Sequence, residues 1–201
     1  MSAHSAAIEP VPTDAWRLPS RGRVGMWCLI AAESAIFTIF LVAYIFYIGK
    51  SETGPQPIHV LHVPILYTVC LLSSSLTIHI AARRIAKGET AAFGRWWIAT
   101  ILLGATFLFG TAREWQHLIT VDGLTISTNL FCTTYYSLVG LHGFHVTMGL
   151  VALAMVAVFY FTGRLGREHS ERLEVLSMYW HFVDAIWVVV FTVVYVVGVK
   201  R

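Results

Sequence analysis

The sequence predicts an all-α membrane protein, a bundle of five transmembrane helices, and three observations predict it. The chain has 201 residues, of which 57% are hydrophobic and 12% charged, whereas a soluble domain carries about a quarter charged residues. Its mean hydropathy is +0.69. Five apolar stretches each reach the roughly 20 residues that an α-helix needs to cross a hydrocarbon layer. A chain of this size has no room for a bundle and a separate soluble domain, so one membrane domain, residues 24–201, follows a polar tail, residues 1–23.

The tail holds Pro10, Pro12 and Glu9 and little that could be buried. It carries no pattern of a cleavable signal, since the first apolar run is longer than a signal core. Span one covers about 24–48 and stops before Gly49-Lys50. A Gly- and Pro-containing loop leads to span two, about 60–82, which Arg83, Arg84 and Lys87 close. Span three covers about 95–115, and a short polar turn around Asp122-Gly123 follows it. Span four, about 128–161, is longer than a bilayer needs and is expected to tilt or to emerge from it. The mixed-charge segment from Gly163 to Glu174 returns the chain to span five, about 176–199.

Five spans place the termini on opposite sides. The tail, the 83–95 connection and the 162–178 connection carry three, four and three Lys or Arg, against Lys50, Arg113, Lys200 and Arg201 on the other side. The excess of positive charge puts the N-terminus in the cytoplasm and the C-terminus outside. A formal charge of +3, spread between apolar runs, excludes a nucleic-acid surface. Cys28, Cys70 and Cys132 lie inside apolar runs without CxxC spacing, so they read as small buried apolar side chains and not as a disulfide or zinc framework.

Ionisable groups at membrane depth are costly, and they face protein in preference to lipid. His181 and Asp184 stand three apart and share a face of span five. His142, His145 and Gly149 share a face of span four, with Gly140 and Gly143 leaving room for a close neighbour. Glu33 lies about 14 Å into span one at a rise of 1.5 Å per residue. These five ionisable residues can therefore occupy one slab, together with Ser73, Ser74, Ser75 and Thr77 of span two. The histidines could ligate a metal or haem, but three or four ligands are wanted and the thiols are elsewhere; a hydrogen-bonded pair joining helices fits better. Glu33 fits a proton carrier and a hydrogen-bonded packing acid equally. His181 and Asp184 fit a structural pair or a relay. Glu114 and His117 fall near the outer end of span three, within reach of water. Trp27, Trp96, Trp97, Trp115, Trp180 and Trp187 read as interfacial anchors. Arg83, Arg84 and Arg95 obey the charge rule and could hold lipid phosphates.

Three segments carry a resemblance: GMWCLIAAESAIFT (Gly25 to Thr38), GLHGFHVTMG (Gly140 to Gly149) and YWHFVDAIWVVVF (Tyr179 to Phe191). With HVPILYTVCLLSSSLTIH between the first two, their order and spacing resemble cytochrome c oxidase subunit III from about Arg23 to the end. The resemblance implies an accessory subunit of an aerobic haem–copper terminal oxidase in a bacterial plasma membrane. It implies that this chain binds phospholipid and no redox metal, that it supplies no catalytic residue, and that haem and copper belong to partner subunits. Subunit I is then the main partner, with subunit II and other respiratory subunits beyond. Glu33 matches the family's carbodiimide-reactive intramembrane glutamate, and the family supports proton uptake and durable turnover. Arg23, Trp27 and Arg164 are the lipid-binding candidates. Many members have seven spans, and this chain matches the last five; the absent pair forms one arm of the family's lipid cleft. Other readings are a quinol oxidase subunit, a relative tied to nitric oxide reductase, a stand-alone proton-coupled transporter, and a self-contained haem or metal enzyme.

Overall fold

The computed structural model describes residues 20–50 and 64–198. Most of the predicted tail, the loop before span two with that span's first residues, and the terminal Lys200 and Arg201 lie outside the described residues. All regular structure among the described residues is helical, in the order α1 (Arg21–Tyr47), α2 (Ile65–Ala86), α3 (Thr90–Thr120), α4 (Leu130–Phe161) and α5 (Ser170–Phe191). A 3₁₀ turn, Arg167–His169, leads into α5, and π-helical turns, Thr192–Val197, prolong it. Among the described residues five helices are thus long and apolar enough to cross a membrane.

Local chemistry sets the ends. Ser20 caps α1 by accepting from the Arg23 N–H at 3.4 Å, and Asn129 caps α4 by accepting from the Cys132 N–H at 2.8 Å. The turn from α2 to α3 passes through Gly88 at φ 81°, a left-handed backbone that glycine adopts without strain. Arg84 and Glu89 pair across that turn at 2.7 Å.

Predicted boundaries fall inside four helices. α1 begins at Arg21, within the expected tail, α2 runs through Arg83 and Arg84, α3 extends at both ends past the predicted 95–115, and α5 takes up Ser170 to Glu174, expected as connection. The physical reason is common to all four. The hydrocarbon boundary ends the apolar run, but a charged residue in water keeps its i→i−4 hydrogen bond and the helix continues.

Helices in lipid associate through close contact and interhelical hydrogen bonds, because lipid is as apolar as leucine. α5 is the centre. It packs against α1, α2 and α4, while α2 and α3 form the most extensive helix pair. One stripe of α5, made of Leu173, Ser177, Trp180, Asp184 and Trp187, is buried throughout. Trp180 sits where four helices meet. Its indole N–H donates to Ser74 Oγ of α2 at 2.8 Å. Its ring fills the space a side chain would need at Gly104 of α3 and Gly149 of α4, where a Cβ would stand 2.9 and 2.8 Å from it. Two turns further along α5, Trp187 donates to Thr68 Oγ1 at 3.2 Å. Trp97 donates to the Leu153 carbonyl at 2.9 Å and ties α3 to α4.

These contacts correct two sequence expectations. Trp97, Trp180 and Trp187 are fully buried and serve as interhelical donors; Trp27 and Trp96 are exposed, as anchors would be. Only Cys132 of the three thiols is buried, and Cys28 is exposed. An apolar stretch says that a residue lies at membrane depth; it does not say whether lipid or protein faces it.

Candidate functional site

The sequence-predicted polar residues form two clusters. In the first, Glu33 of α1 meets His145 of α4, with Oε2 and Nε2 3.1 Å apart. The other ring nitrogen, Nδ1, lies 2.8 Å from the Leu141 carbonyl one turn earlier and donates to it. That fixes Nε2 as the nitrogen facing the carboxyl group. Tyr179 of α5 donates its hydroxyl to the His145 carbonyl at 3.1 Å, and Phe37 lies against the imidazole with ring centres 5.0 Å apart. The acid of span one is thus anchored to α4, with its side chain 23% exposed.

His142 shares a helix face with His145 but joins no polar pair. It stacks on Trp187 at 4.8 Å and 27°, and meets the edge of Phe107 at 5.7 Å. Neither ring nitrogen has a hydrogen-bond partner among the described residues. Of the expected bonds between Glu33 and the two histidines of span four, the structure forms the one to His145.

The second cluster spans α2 and α5. Ser75 donates to Asp184 Oδ2, and the Ser75 oxygen lies 3.0 Å from His181 Nδ1. His181 and Asp184 therefore meet through a serine of another helix and not through each other. Asp184 is 3% exposed, and its second oxygen has no partner among the described residues. The sequence placed Ser75 at the right depth, but its role depends on partners 106 and 109 residues away.

A third cluster escaped the sequence reading. Glu114, expected to be solvated at the outer end of span three, accepts from Tyr195 of the π-helical turns at 3.0 Å and from Tyr135 of α4 at 3.4 Å. Tyr135 and Tyr195 are buried. Three aromatic or acidic residues on three spans give no local spacing to read. His117 stays outside and pairs with Asp122 at 3.3 Å.

The lipid-binding candidates separate. Arg23 is held by Glu174 of α5 at 2.7 Å, with both side chains about half exposed. Arg164 is exposed beyond α4 and Trp27 is 62% exposed on α1. Exposed pairs contribute about 0.2–1 kcal/mol. Arg23→Ala is therefore expected to shift thermal dissociation of the bundle only slightly, by less than about 1 kcal/mol, as followed by differential scanning fluorimetry. Among the described residues no three His, Cys, Asp or Glu side chains gather as a metal-binding group.

Comparison with known proteins decides the family. The model of the family "Cytochrome c oxidase subunit III" matches residues 20–199. The chain belongs to the cytochrome c oxidase subunit III family. Cytochrome c oxidase subunit 3 of Alkalihalophilus pseudofirmus is 32% identical over 88% of this chain and 86% of its own length. Cytochrome bo(3) ubiquinol oxidase subunit 3 of Pseudomonas aeruginosa is 33% identical, covering 87% and 84%. Quinol oxidase subunit 3 of Bacillus subtilis is 30% identical, covering 87% and 86%. All five helices of this subunit III relative fall within the matched residues, as do all three polar clusters.

Proposed function

We propose that this chain is the accessory subunit III of an aerobic haem–copper oxidase in a bacterial plasma membrane. The observation that carries the reading is the family match across residues 20–199, which takes in every described helix. Its N-terminus faces the cytoplasm, following the charge bias. Subunit I is its main partner, with subunit II beyond, and haem and copper reside in those partners. The chain's own work is to brace the catalytic subunit, to hold phospholipid and to support proton uptake. The exposed Trp27 lies one helical turn beyond Arg23, an arrangement that suits an acyl chain beside a headgroup, and Arg164 offers a second phosphate contact. Glu33 with His145 is the proton-related pair.

The test removes the chain from its oxidase. Without it, haem incorporation is expected to stay at the parental level while oxygen reduction decays several-fold faster during continuous turnover, read with an oxygen electrode. Loss of haem, or an unchanged lifetime, would contradict the reading. A quinol-fed oxidase is the second reading, favoured by the relatives of similar identity that carry that name. Oxidation of reduced cytochrome c by the purified complex separates the two.

A further inference from the structure

A cleft of about 620 Å³ opens between the start of α1, the end of α2 and the start of α5, lined by Arg23, His79, Arg83, Glu171, Glu174 and His181. That is room for many water molecules beside charged groups that would hold them. His181 joins the cleft to the Ser75 cluster: its ring lines the cleft, and its Nδ1 lies 3.0 Å from Ser75 Oγ. On α2, Ser75 and His79 stand four apart on one face. On α5, Asp184 and His181 stand three apart and face them, with the His79 and His181 rings 6.4 Å apart. Glu174 and Glu171 continue the α5 face outward to the cleft.

The hydrogen bonds have a direction. Ser75 has one hydroxyl hydrogen and gives it to Asp184 Oδ2. Its oxygen must then accept at the 3.0 Å contact, so His181 carries its proton on Nδ1. That leaves Nε2 as an acceptor on a ring that lines the cleft. Asp184 itself is buried, and its Oδ1 has no partner.

We propose that the α2–α5 seam is a proton-exchange branch, through which Asp184 takes up and returns a proton from cleft water by way of His181 and Ser75. Water protonates His181 Nε2, the Nδ1 proton moves to Ser75 Oγ, and the serine hydroxyl proton moves to Asp184 Oδ2. One proton leaves water and one arrives on the carboxylate; release reverses the same steps. Asp184 is the terminus, so no reset through the outer side is needed. The charged and titratable groups around it are accounted for. On the seam side these are His79 and Arg83 of α2 and Glu171 and Glu174 of α5, with Arg23 of α1 bound to Glu174. From α4, His142 is enclosed by rings and His145 is bonded to Glu33 of α1. Glu114 of α3 is bonded to Tyr195, eleven residues beyond Asp184. The inference deepens the proposed support of proton uptake, and rests on that reading only for which compartment supplies the proton.

The experiment is infrared difference spectroscopy of the purified complex after a pH jump. The signal of Asp184 is the part absent from Asp184→Asn. In the parent it is expected to appear with the jump; in Ser75→Ala and in His181→Phe it should form at least tenfold more slowly, and Ser75→Thr, which keeps a hydroxyl, should restore the rate. A packing role alone would not slow the signal in a complex of unchanged melting temperature. No Asp184 signal between acid and alkaline pH, or a parental rate in either slow variant, would overturn the proposal. If Asp184→Asn does not assemble, aspartate labelled with carbon-13 identifies the band in the parent and the same rates decide. The readout needs no oxygen reduction, so its failure leaves the oxidase reading to its own test.

Discussion

Trp180→Ala is expected to loosen the bundle by about 3–5 kcal/mol, the usual loss for a buried tryptophan. The value should fall toward the lower end, since the side chain leaves protein for lipid and not for water. Two losses combine at this site. The ring occupies the common gap opposite Gly104 and Gly149, so its removal opens a void among α3, α4 and α5. The Ser74 hydroxyl also loses the indole donor at 2.8 Å, although it keeps its own bond to the Leu71 carbonyl at 2.6 Å. At 1.4 kcal/mol per factor of ten, about 3 kcal/mol lowers the equilibrium constant for assembly by roughly a hundredfold. The measurement is retention of the chain in the complex along a detergent or temperature series. Gly149→Ala supplies the control from the other side. Its methyl group would meet the Trp180 ring at 2.8 Å, and overfilling costs about 1–3 kcal/mol. In the Trp180→Ala background most of that cost should vanish, leaving only the 3.3 Å approach to Tyr179 Cε1. Independent, additive effects of the two substitutions would refute the junction.

Glu33→Ala is expected to leave haem content at the parental level and to shorten the working life of the oxidase several-fold. The side chain belongs to an interhelical bond whose removal costs about 0.5–1.5 kcal/mol, too little to dismantle five helices. Glu33→Gln separates its two possible roles. An amide keeps the shape and the contact with His145 Nε2, but it holds no exchangeable carboxyl proton. The proton-related reading predicts that Gln is as short-lived as Ala. Full recovery with Gln would assign the residue to bonding alone. The assay is oxygen consumption against time at constant reductant, with haem quantified in the same sample.

The parts of this molecule that were legible in the sequence are those that lipid dictates. A hydrocarbon layer demands about 20 apolar residues per crossing, and each of the five helices contains such a run. The cost of an ion at depth made Glu33, His145, His181 and Asp184 stand out before any fold was known. What stayed hidden was partner choice. Ser75 is one of three consecutive serines, and only its place opposite α5 distinguishes it. Trp187 and Trp27 look alike in sequence, yet one stacks on His142 and the other faces outward. Glu114 joins Tyr135 and Tyr195 across three helices, a meeting that no local periodicity encodes. The family motifs located His142 and His145 as a unit, whereas the fold gives one a carboxyl group and the other a tryptophan face.

The central claim is that these sunken polar groups belong to a subunit seated in a larger redox assembly. Its most direct test is purification of the tagged chain from native membranes in mild detergent, with an absorption spectrum and native mass of the product. The account predicts one copy of the 22.4 kDa chain per haem-bearing partner, with the Soret band following the partner. A chain that elutes alone, active as a transporter or carrying its own pigment, would contradict it.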